Sequence, residues 1–293
     1  MLFCPVSVVI PTYNRVDFLE RALHSVVKQS CMCAQIIIVD DGSTDTTGEY
    51  LGDITLPGEV KLTVYHQPNM GPAAARNRGI HLAEQDIIAF LDSDDHWHKR
   101  KLEYQYAALA GNPDFIISHT GEKWLRRGVH LNQKKKHLPR HGNIFEHCLQ
   151  LCGVGMSTVM VKKQFFDTIG YFDEKMRCCE DYDLWLRASC RMEFLLVDRP
   201  LTVKEGGRED QVSFQYRVGM DRWRIHSIVK LLDLGVLDCR QWSLAVAELE
   251  KKALVFGGGC IKHGKHKMGE YYLQLPQEYR MLYWEKCSAV KEG

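Results

Sequence analysis

The chain has 293 residues, 45% hydrophobic and 26% charged, with 38 Lys and Arg against 37 Asp and Glu for a net charge of +1. That length buries a substantial core, as one large domain or one domain with an appendage. The balanced charge gives no global field for nucleic acid or acidic partners, and no stretch reaches the roughly 18 apolar residues of a membrane span.

Met1 to Pro5 runs straight into an apolar segment with no basic leader or cleavage site, so secretion is not expected. The 11 cysteines are odd in number and scattered, several of them in apolar segments (Cys4, Cys148, Cys152, Cys190). This suits reduced thiols in a cytosolic protein. Cys31-x-Cys33 and Cys178-Cys179 lack partners at structural-zinc spacing.

In chain order, Val6–Ile10 is a β-branched run stopped by Pro11, which predicts a buried strand followed by a loop. Apolar residues at 18, 19, 22, 23, 26 and 27 predict a helix over 18–28. Gln35–Val39 predicts a second strand and Lys61–Tyr65 a third; an Ala-rich helix over 71–84 leads into a strand at 86–91. This alternation implies an α/β fold with a mostly parallel central sheet flanked by helices. Leu102–Leu109 reads as a helix and Phe115–Ser118 as a strand. From Lys123 to His141 basic residues dominate without apolar periodicity. A solvated loop is the expectation there; the alternative is a mobile basic flap over a phosphorylated ligand or an anionic membrane. Thr158–Val161 reads as a strand, Phe165–Gly170 as a short helix closed by glycine, and Asp181–Ser189 as a helix opened by acidic residues. Beyond about residue 216, helices over 220–234 and 241–256 form a C-terminal helical appendage, packed on the rest by default, with Gly257-Gly258-Gly259 breaking the last of them.

Ligands of parallel α/β sheets bind at the carboxyl ends of the strands. Three polar motifs fall there: Pro11-Thr12-Tyr13 after the first strand, Asp40-Asp41-Gly42-Ser43 after the second, and Asp92-Ser93-Asp94-Asp95 after the fourth. Hard carboxylate oxygens of the last kind suit Mg²⁺ or Mn²⁺, which binds one or two protein carboxylates together with substrate phosphates.

Val8 to Arg15, Val39 to Asp45, Gly71 with Ala75 to Ile80, Phe90 to Trp97 and Glu180 to Trp185 occur in that order. Together they resemble the inverting family 2 glycosyltransferases of the GT-A fold, over roughly residues 5–215. The resemblance implies a catalytic domain over 1–215, with a donor half at about 1–100 and an acceptor half at about 101–215, followed by the helical region 216–293. It implies a metal-dependent transfer of sugar from a nucleoside-diphosphate sugar, with a UDP-sugar favoured, to a hydroxyl of a saccharide or lipid-linked saccharide. Cell-surface polysaccharide or lipopolysaccharide synthesis, a cytoplasmic location and at most peripheral membrane association follow by the same analogy. Two other readings stay open: a non-catalytic nucleotide-sugar-binding module, and a sugar nucleotidyltransferase.

By this resemblance Tyr13 with Pro11 would stack on the base and Asp41 accept its ring N–H. Thr12, Asn69, Arg76 and Ser93 would line the nucleotide pocket, Asp92 would lie near the ribose and sugar, and Asp94 would ligate the metal. Asp181 would be the general base taking the acceptor proton, with Glu180 as its like-charged neighbour. Asp95 would stand behind the metal ligand or cap the next helix, and Ser157 and Thr158 would offer contacts to the acceptor. Many relatives carry a histidine before the last catalytic loop; here Glu205 to Ser213 holds none, and Arg208 stands near its place, available to the diphosphate. His96 and His98 are expected to face solvent at the start of a helix.

Overall fold

The computed structural model describes residues 2–56, 58 and 60–289. The N-terminal half alternates strands and helices: β1 Leu2–Thr12, α1 Val16–Val27, β2 Cys31–Asp40, α2 Thr47–Asp53, β3 Lys61–His66, α3 Pro72–Leu82 and β4 Ile87–Phe90. Period-two side chains explain the layering. Val8, Ile10, Ile36 and Ile38 face one core with Leu19 and Leu23 of α1, whereas Val9, Ile37 and Val39 face the other with Ala75 and Ile80 of α3. Each such buried aliphatic contributes about 1.5–3 kcal/mol.

β1 crosses Pro11 and ends at Thr12 instead of stopping at Ile10. The proline is tolerated because β4 pairs with β1 only through Val9, so at Pro11 no ladder donor is needed on that side.

The sheet has nine strands in the order β3-β2-β1-β4-β8-β6-β9-β5, with β7 beside β6. Strands β3, β2, β1 and β4 are parallel neighbours. Their order reverses around β1, so the loops after β1, β2 and β4 meet at one edge. Beyond β4 come β5 His96–Trp97, α4 Lys101–Gly111, β6 Ile117–Arg126, β7 Val129–Leu131, α5 Phe145–Gln150, β8 Met160–Lys162, α6 Gln164–Ile169, α7 Glu180–Ser189, β9 Leu195–Gly206 and the short α8 Val212–Gln215. β8 runs antiparallel to both β4 and β6, joining the two halves.

Several expectations change. The basic stretch 123–141 is not a structureless loop: β6 extends to Arg126 and turns into β7, and a 3₁₀ turn follows at Lys135–His137. β9 and β5 lacked a clear apolar signal and pair with each other at the edge. His96 therefore lies in a strand, half-buried, and only His98 is exposed, three residues ahead of α4.

The C-terminal helices α9 Met220–Asp233, α10 Cys239–Lys262 and α11 His266–Ala289 join the α3-side core, with Ile225, Ile228, Leu231, Trp242 and Leu249 buried in it. Gly257 to Gly259 do not break α10, which runs through them. The cysteines are also not all free thiols. Cys4 and Cys31 form a disulfide across β1 and β2, their Cα atoms 5.9 Å apart, because the parallel register sets Cys4 and Cys31 on neighbouring strands.

Candidate functional site

The loops after β1 and β2 are stitched to each other. Asn14, at φ +50°, accepts from the Thr44 N–H at 2.7 Å, while its own N–H donates to Ser43 Oγ at 2.9 Å. Asp41 is buried and holds the loop ahead of α3: Oδ1 accepts from Gln67 Nε2 at 2.7 Å and the Met70 N–H at 2.9 Å, Oδ2 from the Gly71 N–H at 2.8 Å. Gly42 is required here. It has φ +79°, and a Cβ would sit 2.8 Å from the Asn69 nitrogen. Asn69 is thus at the exposed rim with Asp41 buried directly behind it, while Tyr13 is 44% exposed. Pro11 and Thr12 are buried in β1, so their side chains form the floor behind this rim instead of its surface.

After β4 the four residues diverge. Asp92 Oδ1 pairs with Arg76 Nη2 at 2.7 Å, and Arg76 Nη1 pairs with Glu180 Oε1 at 2.6 Å. Arg76 is buried, and the two carboxylates hold its guanidinium charged despite the cost of desolvation. One arginine from α3 thereby ties the end of β4 to the first residue of α7. Burial pushes the Glu180 carboxyl up, against the opposing charge of Arg76. Ser93 is buried.

Asp94 faces the other way. Its Oδ2 meets Arg15 Nη1 at 3.0 Å and Arg208 Nη2 at 2.6 Å, with Gln211 Nε2 at 3.4 Å. Burial would raise its pKa, but Arg15 and Arg208 outweigh it and keep the carboxylate ionised. Asp95 is buried, its Oδ2 accepting from Ser157 Oγ at 2.6 Å. Burial, with the Asp94 and Asp92 charges, pushes its carboxyl well up against the pull of Lys204. It caps no helix, because α4 starts only at Lys101. Ser157 is likewise not free for an acceptor: it donates to Asp95 and accepts from the Asp92 N–H at 3.0 Å.

Asp181 occupies the first turn of α7, half-buried. Its Oδ1 accepts from the Tyr182 N–H at 2.7 Å and its Oδ2 from the Cys152 thiol at 3.1 Å. Trp185 Nε1 donates to the Val154 carbonyl at 2.9 Å, which fixes the 151–155 segment that presents Cys152.

Lys204 of β9 is the residue that links the acidic groups. Glu122 first, then Asp95, Asp92 and Asp181, hold its ammonium charged well above the usual lysine range. Nothing in the sequence pointed to Lys204, since β9 has no clean alternation. Arg15 lay inside a quoted motif without a role, and Cys152 carried no signal. A separate cavity of about 290 Å³, lined by Ile169, Tyr171, Arg187 and Lys230 among others, lies away from this edge; its Lys230 is paired with Asp173 and Asp183.

Among the described residues no three His, Cys, Asp or Glu side chains gather as a ready-made metal cage. Asp94, ionised at the rim, fits a hard cation that takes one protein carboxylate and completes its shell with water and phosphate oxygens, once Arg15 and Arg208 move off Oδ2.

The parallel strands β3-β2-β1-β4, their acidic carboxyl edge and the carboxylates of α7 joined to it through Arg76 have the arrangement of the GT-A fold. Residues 7–169 match the glycosyl transferase family 2 profile, and the chain belongs to that family. It is 36% identical over 203 residues to an uncharacterized glycosyltransferase of Rickettsia felis, a match covering 67% of this chain but 32% of that protein. The chain therefore spans about a third of the length of the first curated relatives it matches. A putative teichuronic acid biosynthesis glycosyltransferase, TuaG of Bacillus subtilis, is 31% identical, covering 72% of this chain and 87% of its own. The amylovoran biosynthesis glycosyltransferase AmsB of Erwinia amylovora is 33% identical, covering 67% of each chain. In fold, the chain resembles residues 1–349 of S. aureus TarS in complex with UDP-GlcNAc, at a TM-score of 0.68 and 19% identity, over 86% of this chain and 73% of that one.

Proposed function

We propose that the chain moves a sugar from a nucleoside-diphosphate sugar, with a UDP-sugar favoured, to a hydroxyl of a saccharide or lipid-linked saccharide, inverting the anomeric centre. Residues 1–215 would be the catalytic unit, with 216–293 buttressing it. The observation that carries the reading is the Asp92–Arg76–Glu180 bridge, which fixes α7, and so Asp181, beside the strand ends.

In this reading the base rests on the rim formed by Tyr13 and Asn69, with Asp41 behind it. Asp92 and Ser93 border the ribose and sugar, and Asp94 is the metal ligand. Asp181 accepts the proton of the attacking hydroxyl; its two oxygens are already oriented by the Tyr182 N–H and the Cys152 thiol. Arg15 and Arg208 are the guanidiniums at this edge that can face a diphosphate. A bound Mg²⁺ or Mn²⁺ would supply Lewis-acid neutralisation of the leaving diphosphate. The names of TuaG and AmsB support cell-surface polysaccharide synthesis, and TarS with UDP-GlcNAc supports a UDP-sugar donor. We place the protein at the cytoplasmic face of a membrane as a peripheral protein; among the described residues no helix is long and apolar enough to cross one.

Asp181→Asn keeps size and shape while removing the base. Donor binding by calorimetry should persist, and transfer should fall by about 10²- to 10⁴-fold. Transfer at the wild-type rate in this variant would remove Asp181 from the mechanism.

A further inference from the structure

We propose that the β6–β7 hairpin and the turn that follows it dock the protein on an anionic lipid surface. Between residues 123 and 145 the chain carries seven lysines and arginines and no aspartate or glutamate. All seven are exposed, and none makes an ion pair among the described residues. Since the whole chain has a net charge of only +1, the rest of the molecule, with 31 Lys and Arg against 37 Asp and Glu, is net negative, and this projection is a local excess of positive charge. An unneutralised cluster of this kind is drawn to a surface of opposite charge, and the attraction decays within a Debye length.

The apolar residues between the cations favour a bilayer over other polyanions. Val129 is 70% exposed, Leu131 42% and Leu138 49%, each next to or between basic residues in the sequence. Aliphatic side chains at that exposure can enter the headgroup boundary while the cations stay with the phosphates. Nucleic acid would instead call for exposed rings to stack on bases. The one tryptophan here, Trp124, is half-buried, packed against His137 at 5.2 Å and donating to Glu122. Those contacts close the 3₁₀ turn onto the base of the hairpin and give the projection a fixed form.

The hairpin is continuous with the site. β6 pairs with β9 in parallel up to Arg126 opposite Gly206, two residues before Arg208. Docking would therefore bring the acidic edge to the membrane surface.

The test is sedimentation of the whole protein with phosphatidylcholine vesicles, with and without phosphatidylglycerol. It uses neither donor nor acceptor, so its outcome is independent of the sugar-transfer reading. Binding to the anionic vesicles alone is expected, weakened by added salt. Each cation near such a surface contributes about fivefold, so the combined Lys134→Gln, Lys135→Gln and Lys136→Gln variant should lose on the order of 100-fold in partitioning. Val129→Asp with Leu131→Asp, which leaves every cation in place, should weaken binding as well. Unchanged circular dichroism would show that both variants fold. Equal binding to neutral and anionic vesicles, wild-type binding by the triple variant, or binding to an RNA oligonucleotide without binding to vesicles would overturn the proposal.

Discussion

Asp94, Asp181 and Lys101 show three ways in which this fold controls a charged group. Asp94 is kept ionised by two arginines that any incoming cation must displace. Arg208→Ala should therefore bind Mn²⁺ in the absence of nucleotide more readily than wild type, by on the order of tenfold, if the arginine contributes the 1–2 kcal/mol of a partly buried charge-assisted pair. Electron paramagnetic resonance titration of Mn²⁺ measures this directly. Asp181 is oriented by a thiol whose own proton is held tightly: burial, then the Asp181 charge, push Cys152 well above the ordinary range. Because the thiolate is the reactive form, iodoacetamide at pH 8 should leave Cys152 largely unmodified in the native protein by mass spectrometry, and modify it after denaturation.

Lys101 is fully buried, bonded to Gln105 and 4.3 Å above the Trp97 ring. Burial lowers its pKa from 10.5 to about 7. The unfolded chain thus binds more protons between those two values, so this group adds stability as pH rises from 7 towards 10.5. Below 7 the cost of the buried charge is fully present. Lys101→Met should raise the melting temperature at pH 6, and its advantage should shrink by pH 9. At this scale the sequence was informative where acidic residues end a strand in a local run, as in Asp41, Asp92 and Asp94. It was silent on the roles of Lys204 and Cys152 and misplaced Ser157 at the acceptor, because the partners of all three lie far along the chain.

The helices and strands follow the same division. α1, β2, α3 and β4 were legible because an apolar period of 3.6, a continuous apolar run or, in α3, a run of alanines marks each of them. β9 and β5 were not, because β5 is only two residues long and β9 carries exposed charged residues and a proline between its apolar ends, and the Cys4–Cys31 bridge depends on a register that only pairing defines. The glycines of α10 make the point energetically. A Cβ on Gly257 would lie 2.9 Å from the Gly269 carbonyl oxygen of α11, whereas Gly258 and Gly259 have open space around them. Glycine is therefore needed at 257 for the close approach of the two helices and is merely costly at the next two positions. Gly258→Ala should stabilise by about 0.5–1 kcal/mol through helix propensity, while Gly257→Ala should destabilise by about 1–3 kcal/mol through overpacking. Urea denaturation of the two variants should shift in opposite directions.

In the whole molecule, α9 to α11 share a core with α3, α5, α6 and α7. They looked like an appendage because their sequence begins after the last recognised motif, yet amphipathic periodicity shows only that a face is buried and not what it is buried against. Ending the chain at Gln215 would bare the surface of α5 and α7 that these helices cover. Such a chain should aggregate or lose near-ultraviolet circular dichroism, and a monomeric product with native near-ultraviolet signal would show the two parts to be independent. The GT-A architecture could be read from the order of the motifs alone. The way in which Arg76, Arg15 and Lys204 draw Asp92, Glu180, Asp94, Asp95 and Asp181 to one edge could not, because that depends on the three-dimensional meeting of α3, α7, β9 and the loop after β1.

The claim on which the account rests is that this edge holds a nucleoside diphosphate carrying a sugar. Thermal denaturation with UDP, GDP, dTDP and CDP and their common sugars, each with and without Mn²⁺, tests it most directly. A ligand at about 100 times its dissociation constant stabilises the native state by about 2.7 kcal/mol. A selective shift with UDP and UDP-sugars is expected, growing with Mn²⁺ and disappearing in Asp94→Ala. No shift with any nucleotide, in a protein that otherwise melts cooperatively, would contradict it.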